Sequence, residues 1–231
     1  MSNTALLSAI MSLLIIGVAL LVSFLGIWIV SKDGVLRNDT FLMLNVHLSV
    51  ALFIFSVSEI IAIWADSLPN PVSSYPVVGV IQLVGVLLWV EGVLIYLNSM
   101  NDVLRFTSRR YLLPIILIAI SAIYIVFTSA IILLNEITLP YNLLIAVPIE
   151  IGFTVTIISM CMLLRWYHRG YLAIPSVLTI LGSSLLLWRT LLWGYQIIRI
   201  ADPYLQFIAI MGYLALGGSL ALRSEKMAKM T

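Results

Sequence analysis

Residues 5–30 read ALLSAIMSLLIIGVALLVSFLGIWIV, a stretch with no charge anywhere in it. An α-helix rises ~1.5 Å per residue, so about 20 apolar residues cross the hydrocarbon core of a bilayer. The stretch is long enough for that. It is too long for the apolar region of a cleavable signal peptide, and residues 1–4 carry no basic residue of the kind that opens one. It reads as a first membrane span.

Working outward, six more runs of span length follow, at residues 41–65, 77–98, 111–134, 143–164, 172–198 and 204–222. The breaks between them carry turn and charge signals, such as Ser31-Lys32-Asp33-Gly34 and the stretch holding Pro69, Pro71 and Pro76. Of the 231 residues, 62% are hydrophobic and 10% charged, whereas soluble domains run near half apolar and about a quarter charged. That balance excludes an ordinary soluble domain, a disordered chain and a nucleic-acid binder. Barrel strands are about 10 residues long, far shorter than these runs, so the spans are helices. The expected fold is all-α: one seven-transmembrane-helix domain over residues 1–231, ending in a short basic tail at 223–231.

The basic residues set the orientation. Lys32 and Arg37 lie between spans one and two, Arg105, Arg109 and Arg110 between three and four, Arg165 and Arg169 between five and six. Arg223, Lys226 and Lys229 follow span seven. With seven spans all of these fall on one side, leaving Arg199 opposite and Arg189 within span six. The positive-inside rule then puts the N-terminus outside and the C-terminus in the cytoplasm of a multi-pass cell-membrane protein.

Charged groups in hydrocarbon cost several kcal/mol and face the bundle interior or a partner. Four sit within spans: Glu59, Glu91, Glu150 and Arg189. At 100° per residue they fall on polar stripes. Span two aligns Asn45, Ser49, Ser56 and Glu59. Span three aligns Glu91, Asn98 and Asp102. Span five aligns Glu150, Thr154, Cys161, Arg165 and His168. Span six aligns Gly182, Arg189, Trp193 and Gln196. Span seven aligns Gln206, Tyr213 and Gly217. Span one carries a seam of small residues, Ser8, Ser12, Ala19, Ser23 and Gly26, while span four has few polar groups and is expected to be the most lipid-exposed.

Counting rise from the outer boundary puts Glu59 at about 8 Å, Glu150 at roughly 10 Å, Arg189 at about 12–15 Å and Glu91 at ~21 Å. The expected partner of Arg189 is therefore Glu150 on the adjacent span, with Glu59 competing. Three carboxylates face one arginine, so at least one lacks a cation. Two readings follow. One is a proton or cation path, or a polar ligand pocket, built from these residues. The other is a buried structural pair with hydrogen-bonded neighbours.

Cofactor chemistry finds little support. A bis-histidine haem needs two rings aimed at one iron, and His47 lies about 160° around its helix from the Glu59 stripe, by the same 100° rule, with His168 the only other histidine. A catalytic metal site needs three or more converging ligands. With two histidines and one cysteine, Cys161, no spacing supplies them. No hydrolase, zinc-protease or phosphate-loop motif is present, so an enzyme is not expected. Seven spans in this orientation and length resemble the microbial rhodopsins in topology, which would imply retinal held by a lysine of the seventh helix. Residues 204–222 contain no lysine, and Lys226 lies past them, which excludes a covalent chromophore. Sugar transporters of three-plus-one-plus-three type share the span count, but spans one to three and five to seven show no internal similarity.

Two functions remain. One is a small carrier or receptor-like module for a proton, ion or small polar ligand, in the lipid bilayer as a monomer or homo-oligomer. The other is a non-catalytic subunit of a larger membrane assembly, such as a respiratory complex, with other membrane subunits as partners.

Overall fold

The computed structural model describes residues 3–33, 40–66, 75–104, 141–167, 173–194 and 202–227. These form helices α1 (Asn3–Asp33), α2 (Thr40–Asp66), α3 (Tyr75–Leu104), α4 (Tyr141–Tyr167), α5 (Ala173–Gly194) and α6 (Pro203–Met227). Six of the predicted spans are thus helical, and all six are long and apolar enough to cross a membrane. The predicted fourth span, at residues 111–134, lies outside the described residues, as do His168 and Gln196 and the side chain of Ser8 on the predicted stripes.

The helices close into a ring. Each packs on its neighbours in chain order, α3 directly on α4, and α6 returns onto α1. Pairings fix the directions. Gln206 meets Ser12 and Gly217 meets Val22, so α1 and α6 run in parallel. Ser56 meets Ser23 while Ser49 lies under Gly26, so α2 is antiparallel to α1. His47 lies against Gly92 and Phe55 against Gly85, which turns α3 back again. Ser219 bonds Thr179 and Leu216 covers Gly182, so α5 opposes α6. Arg223 of α6 reaches Met160 near the end of α4, and Tyr213 shares a cavity with Ile149 and Phe153, so α4 runs with α6. Helices α1, α3, α4 and α6 therefore point one way, and α2 and α5 the other.

The buried seams repeat every seven residues. On α1 the seam is Ser12, Ile15, Ala19, Val22, Gly26 and Ile29. On α4 it is Ile149, Phe153, Thr156, Met160 and Leu163. On α6 it is Leu205, Ala209, Gly212, Leu216, Ser219 and Arg223. A seam of 3.5 residues per turn drifts ~20° per heptad around a straight helix, which is the pattern of left-handed packing with side chains interlocking. Small residues let backbones approach. A Cβ on Gly182 would lie 2.6 Å from Leu216 Cγ and 2.9 Å from the Gly212 carbonyl oxygen.

Large apolar side chains cover the outside of the ring, among them Leu13, Leu21, Phe24, Trp64, Leu87, Trp188 and Phe207, all at least half exposed. Water-soluble monomers rarely expose apolar patches beyond a few hundred Å². The interior, by contrast, holds Asn45, Ser56, Glu59, Glu150, Arg189, Gln206 and Arg223. An apolar exterior around a polar interior is the arrangement that a lipid solvent selects.

Candidate functional site

Glu59 stands on the buried stripe of α2 that also carries Asn45, Ser49 and Ser56, all four at most 2% exposed. Arg189 stands on the seam side of α5, opposite α2 across the ring. Its Nη1 donates to Glu59 Oε1, and its Nη2 donates to Oε2 at 2.7 Å. The Tyr213 hydroxyl on α6 donates to the same Oε1 at 2.9 Å. A planar guanidinium facing a carboxylate through two parallel bonds is the strongest neutralising geometry that side chains offer. Three of the predicted site residues thus meet at one point.

The expected pairing of Arg189 with Glu150 is corrected by this geometry. Glu150 is on α4, next to α5, and fully buried. Adjacency in the ring favoured it, but a long side chain on a seam position reaches across the interior more readily than sideways. Both terminal nitrogens of Arg189 go to Glu59. The α4 stripe holds for Glu150 and for Thr154, whose hydroxyl donates to the Glu150 carbonyl at 2.7 Å. It fails at Cys161 and Arg165, which are exposed. The heptad drift explains this, because the seam has passed to Met160 and Leu163 by that depth.

The span-three stripe is overturned. Glu91 and Asn98 are both exposed, and the Asp102 side chain lies outside the described residues. The seam of α3 is Val78, Gln82, Gly85, Trp89, Gly92 and Tyr96, nearly opposite. The two glycines seven apart mark it in the sequence, since a Cβ on Gly85 would lie 2.8 Å from the Phe55 ring and one on Gly92 2.5 Å from His47 Cβ.

A cavity of about 20 Å³ adjoins the pair, lined by Phe55, Gln82, Ile149, Phe153, Leu186, Arg189, Thr190, Trp193 and Tyr213. One water-sized group needs roughly 10–15 Å³ by this measure. Trp193 lines it and is buried, while Trp188, also expected to pack in the core, is half exposed on the outward face of α5. Phe55 and Phe153 of the cavity lining pack with Trp89, ring centroids 6.0–6.4 Å apart. Such tilted and edge-on contacts are favoured aromatic geometries.

The other predicted polar residues lie elsewhere in the interior. Gln206 donates to the Ser12 hydroxyl at 2.7 Å, tying α6 to α1. Asn45 is buried, and among the described residues neither side-chain polar atom has a hydrogen-bond partner. His47 is half-buried, its Nδ1 2.7 Å from the Met43 carbonyl oxygen. Among the described residues, no three of His, Cys, Asp and Glu gather where a metal ion could be held. Arg223, which the sequence places in the tail, is instead an interior residue, 3% exposed on a helix that runs on to Met227. Extending the α6 heptad would have found it. Comparisons with protein-family models, with curated proteins and with solved structures returned no match.

Proposed function

We propose that the chain is a seven-helix protein of the cell membrane, N-terminus outside and C-terminus cytoplasmic, acting as a small carrier or receptor-like module without catalytic chemistry. Its working site is the Glu59–Arg189 pair with Tyr213 and the adjoining cavity. The parallel run of α3 and α4 supports the seventh span, because the chain between them leaves at one face of the ring and re-enters at the other. The positive-inside distribution supports the orientation.

The observation that carries the functional reading is the buried ion pair between opposite helices. Apolar side chains of similar volume commonly pack a core as stably as a buried pair. An ion pair that crosses the ring centre beside a cavity is, by contrast, a latch that opening the interior must break. The cavity of about 20 Å³ suits a proton, an ion or a very small polar ligand. Sites for larger molecules run to about 300–1,000 Å³.

The test is reconstitution of the purified chain into vesicles loaded with a pH-sensitive dye, under imposed proton and ion gradients. The wild type should dissipate a gradient faster than empty vesicles, and folded Arg189→Gln should not. A wild type that moves no proton or ion and binds no small polar ligand removes the carrier and receptor reading. Reproducible co-purification of unrelated subunits from native membranes in mild detergent establishes the competing role, a non-catalytic subunit of a larger complex.

A further inference from the structure

The ring holds a second buried cation whose surroundings are unlike those of Arg189. Arg223 Nη2 donates to Thr179 Oγ1 at 2.9 Å and lies 3.9 Å from Met160 Sδ. Among the described residues, Nη1 is buried without a hydrogen-bond partner. The hydroxyls beside it are already committed, since Thr179 and Ser219 both donate to the Pro175 carbonyl, at 2.9 and 2.8 Å. Among the described residues, the groups that interact with the guanidinium, Thr179, Met160 and Tyr96, are all neutral. A guanidinium does not lose its proton in a protein, and an uncompensated buried charge costs several kcal/mol.

A second group toward the same end of the ring has unmade hydrogen bonds. Gly26 faces Ser49 and Ser23 bonds Ser56, which, carried along the helices, put Asn45 at the level of residue 30 of α1 or past it. Val22 faces Gly217 and Gln206 meets Ser12, which put Arg223 at the level of residues 28–29. The Asn45 amide is 1% exposed, and among the described residues neither its oxygen nor its nitrogen has a partner. Arg223 lies ten residues along α6 from Tyr213, about 15 Å by helical rise.

We propose that this end of the ring is a binding site for a small monovalent anion, with Arg223 supplying the charge and unspent N–H donors, and the Asn45 amide a further donor toward the same end. One cation calls for one negative charge, and the close packing calls for a small ion. The inference does not depend on the reading of the Glu59–Arg189 site, and its test measures binding, not transport.

The experiment uses the full chain, purified and delipidated in a neutral detergent, in sodium gluconate with chloride exchanged in at constant ionic strength. Thermal unfolding and chloride NMR line broadening are followed together. The wild type should show a saturable rise in unfolding temperature, as ligand binding to the folded state requires, and broadening that nitrate competes away. Arg223→Gln should weaken binding about tenfold or more, the worth of a lost charge-assisted hydrogen bond. Arg223→Lys, which keeps the charge, should bind more weakly than the wild type but measurably, and it serves alone if Arg223→Gln does not fold. A wild type indifferent to chloride and nitrate overturns the proposal. So does binding unchanged in both variants, or stabilisation that follows anionic lipid and not the free anion.

Discussion

Removing one member of the Glu59–Arg189 pair is the sharpest perturbation this bundle offers. Glu59 is 1% exposed and Arg189 6%, so neither charge regains water when the other is lost. Arg189→Gln leaves a carboxylate with only the Tyr213 hydroxyl, and Glu59→Gln leaves a guanidinium facing a neutral amide. Breaking a buried pair by deleting one partner costs about 3–5 kcal/mol, a factor of roughly 10³ in the folded-to-unfolded ratio at its midpoint. The double variant carries neither charge and should recover much of that loss. The coupling energy should therefore lie near the upper end of the ~0.5–3 kcal/mol range found for residues in direct contact. The assay is reversible unfolding in mixed micelles with increasing denaturing detergent, followed by circular dichroism. The same cycle with Glu150→Gln in place of Glu59→Gln should be near additive. Additive losses for Glu59 and Arg189, or coupling of Arg189 to Glu150 instead, would refute the latch across the ring.

Three further outcomes are expected. Tyr213→Phe removes one hydrogen bond to a charged acceptor and should cost about 1–2 kcal/mol in the same unfolding assay, a value between soluble and membrane-helix measurements. Gly182→Val pushes atoms into Leu216 and the Gly212 carbonyl, and should destabilise by about 2 kcal/mol or more through the α5–α6 contact; an unchanged midpoint would mean the helices are not so close. Single cysteines introduced as Ser2→Cys and Thr231→Cys in a Cys161→Ser background should react with an impermeant thiol reagent from opposite sides of intact cells, and labelling from the same side would exclude seven spans.

The stripe on α2 was legible because four polar residues share one face and their faces agree with their depth. Gln206 and Tyr213 were legible for the same reason. The α3 stripe misled because three polar residues are also mutually aligned there, and alignment says nothing about which face a neighbour covers. Gly85 and Gly92 carried the better signal, since close approach of another helix is what requires them. Arg223 was read as tail because a charge usually ends an apolar run. Only packing against Thr179 and Met160 shows that the helix, and the interior, continue past it.

Composition and run length by themselves determined that this chain is a bundle of apolar helices, because the transfer of whole segments into lipid depends on summed hydropathy and not on partners. The polar stripes picked out Asn45, Ser56, Glu59, Glu150, Arg189 and Gln206 of the interior but missed Gln82, Thr156, Thr179, Ser183, Ser219 and Arg223. Which of those residues meet was decided by tertiary structure alone. The choice of Glu59 over Glu150 rests on the ring closing α6 onto α1 and setting α2 opposite α5, and a ring order is a property of contacts between helices that no single helix encodes.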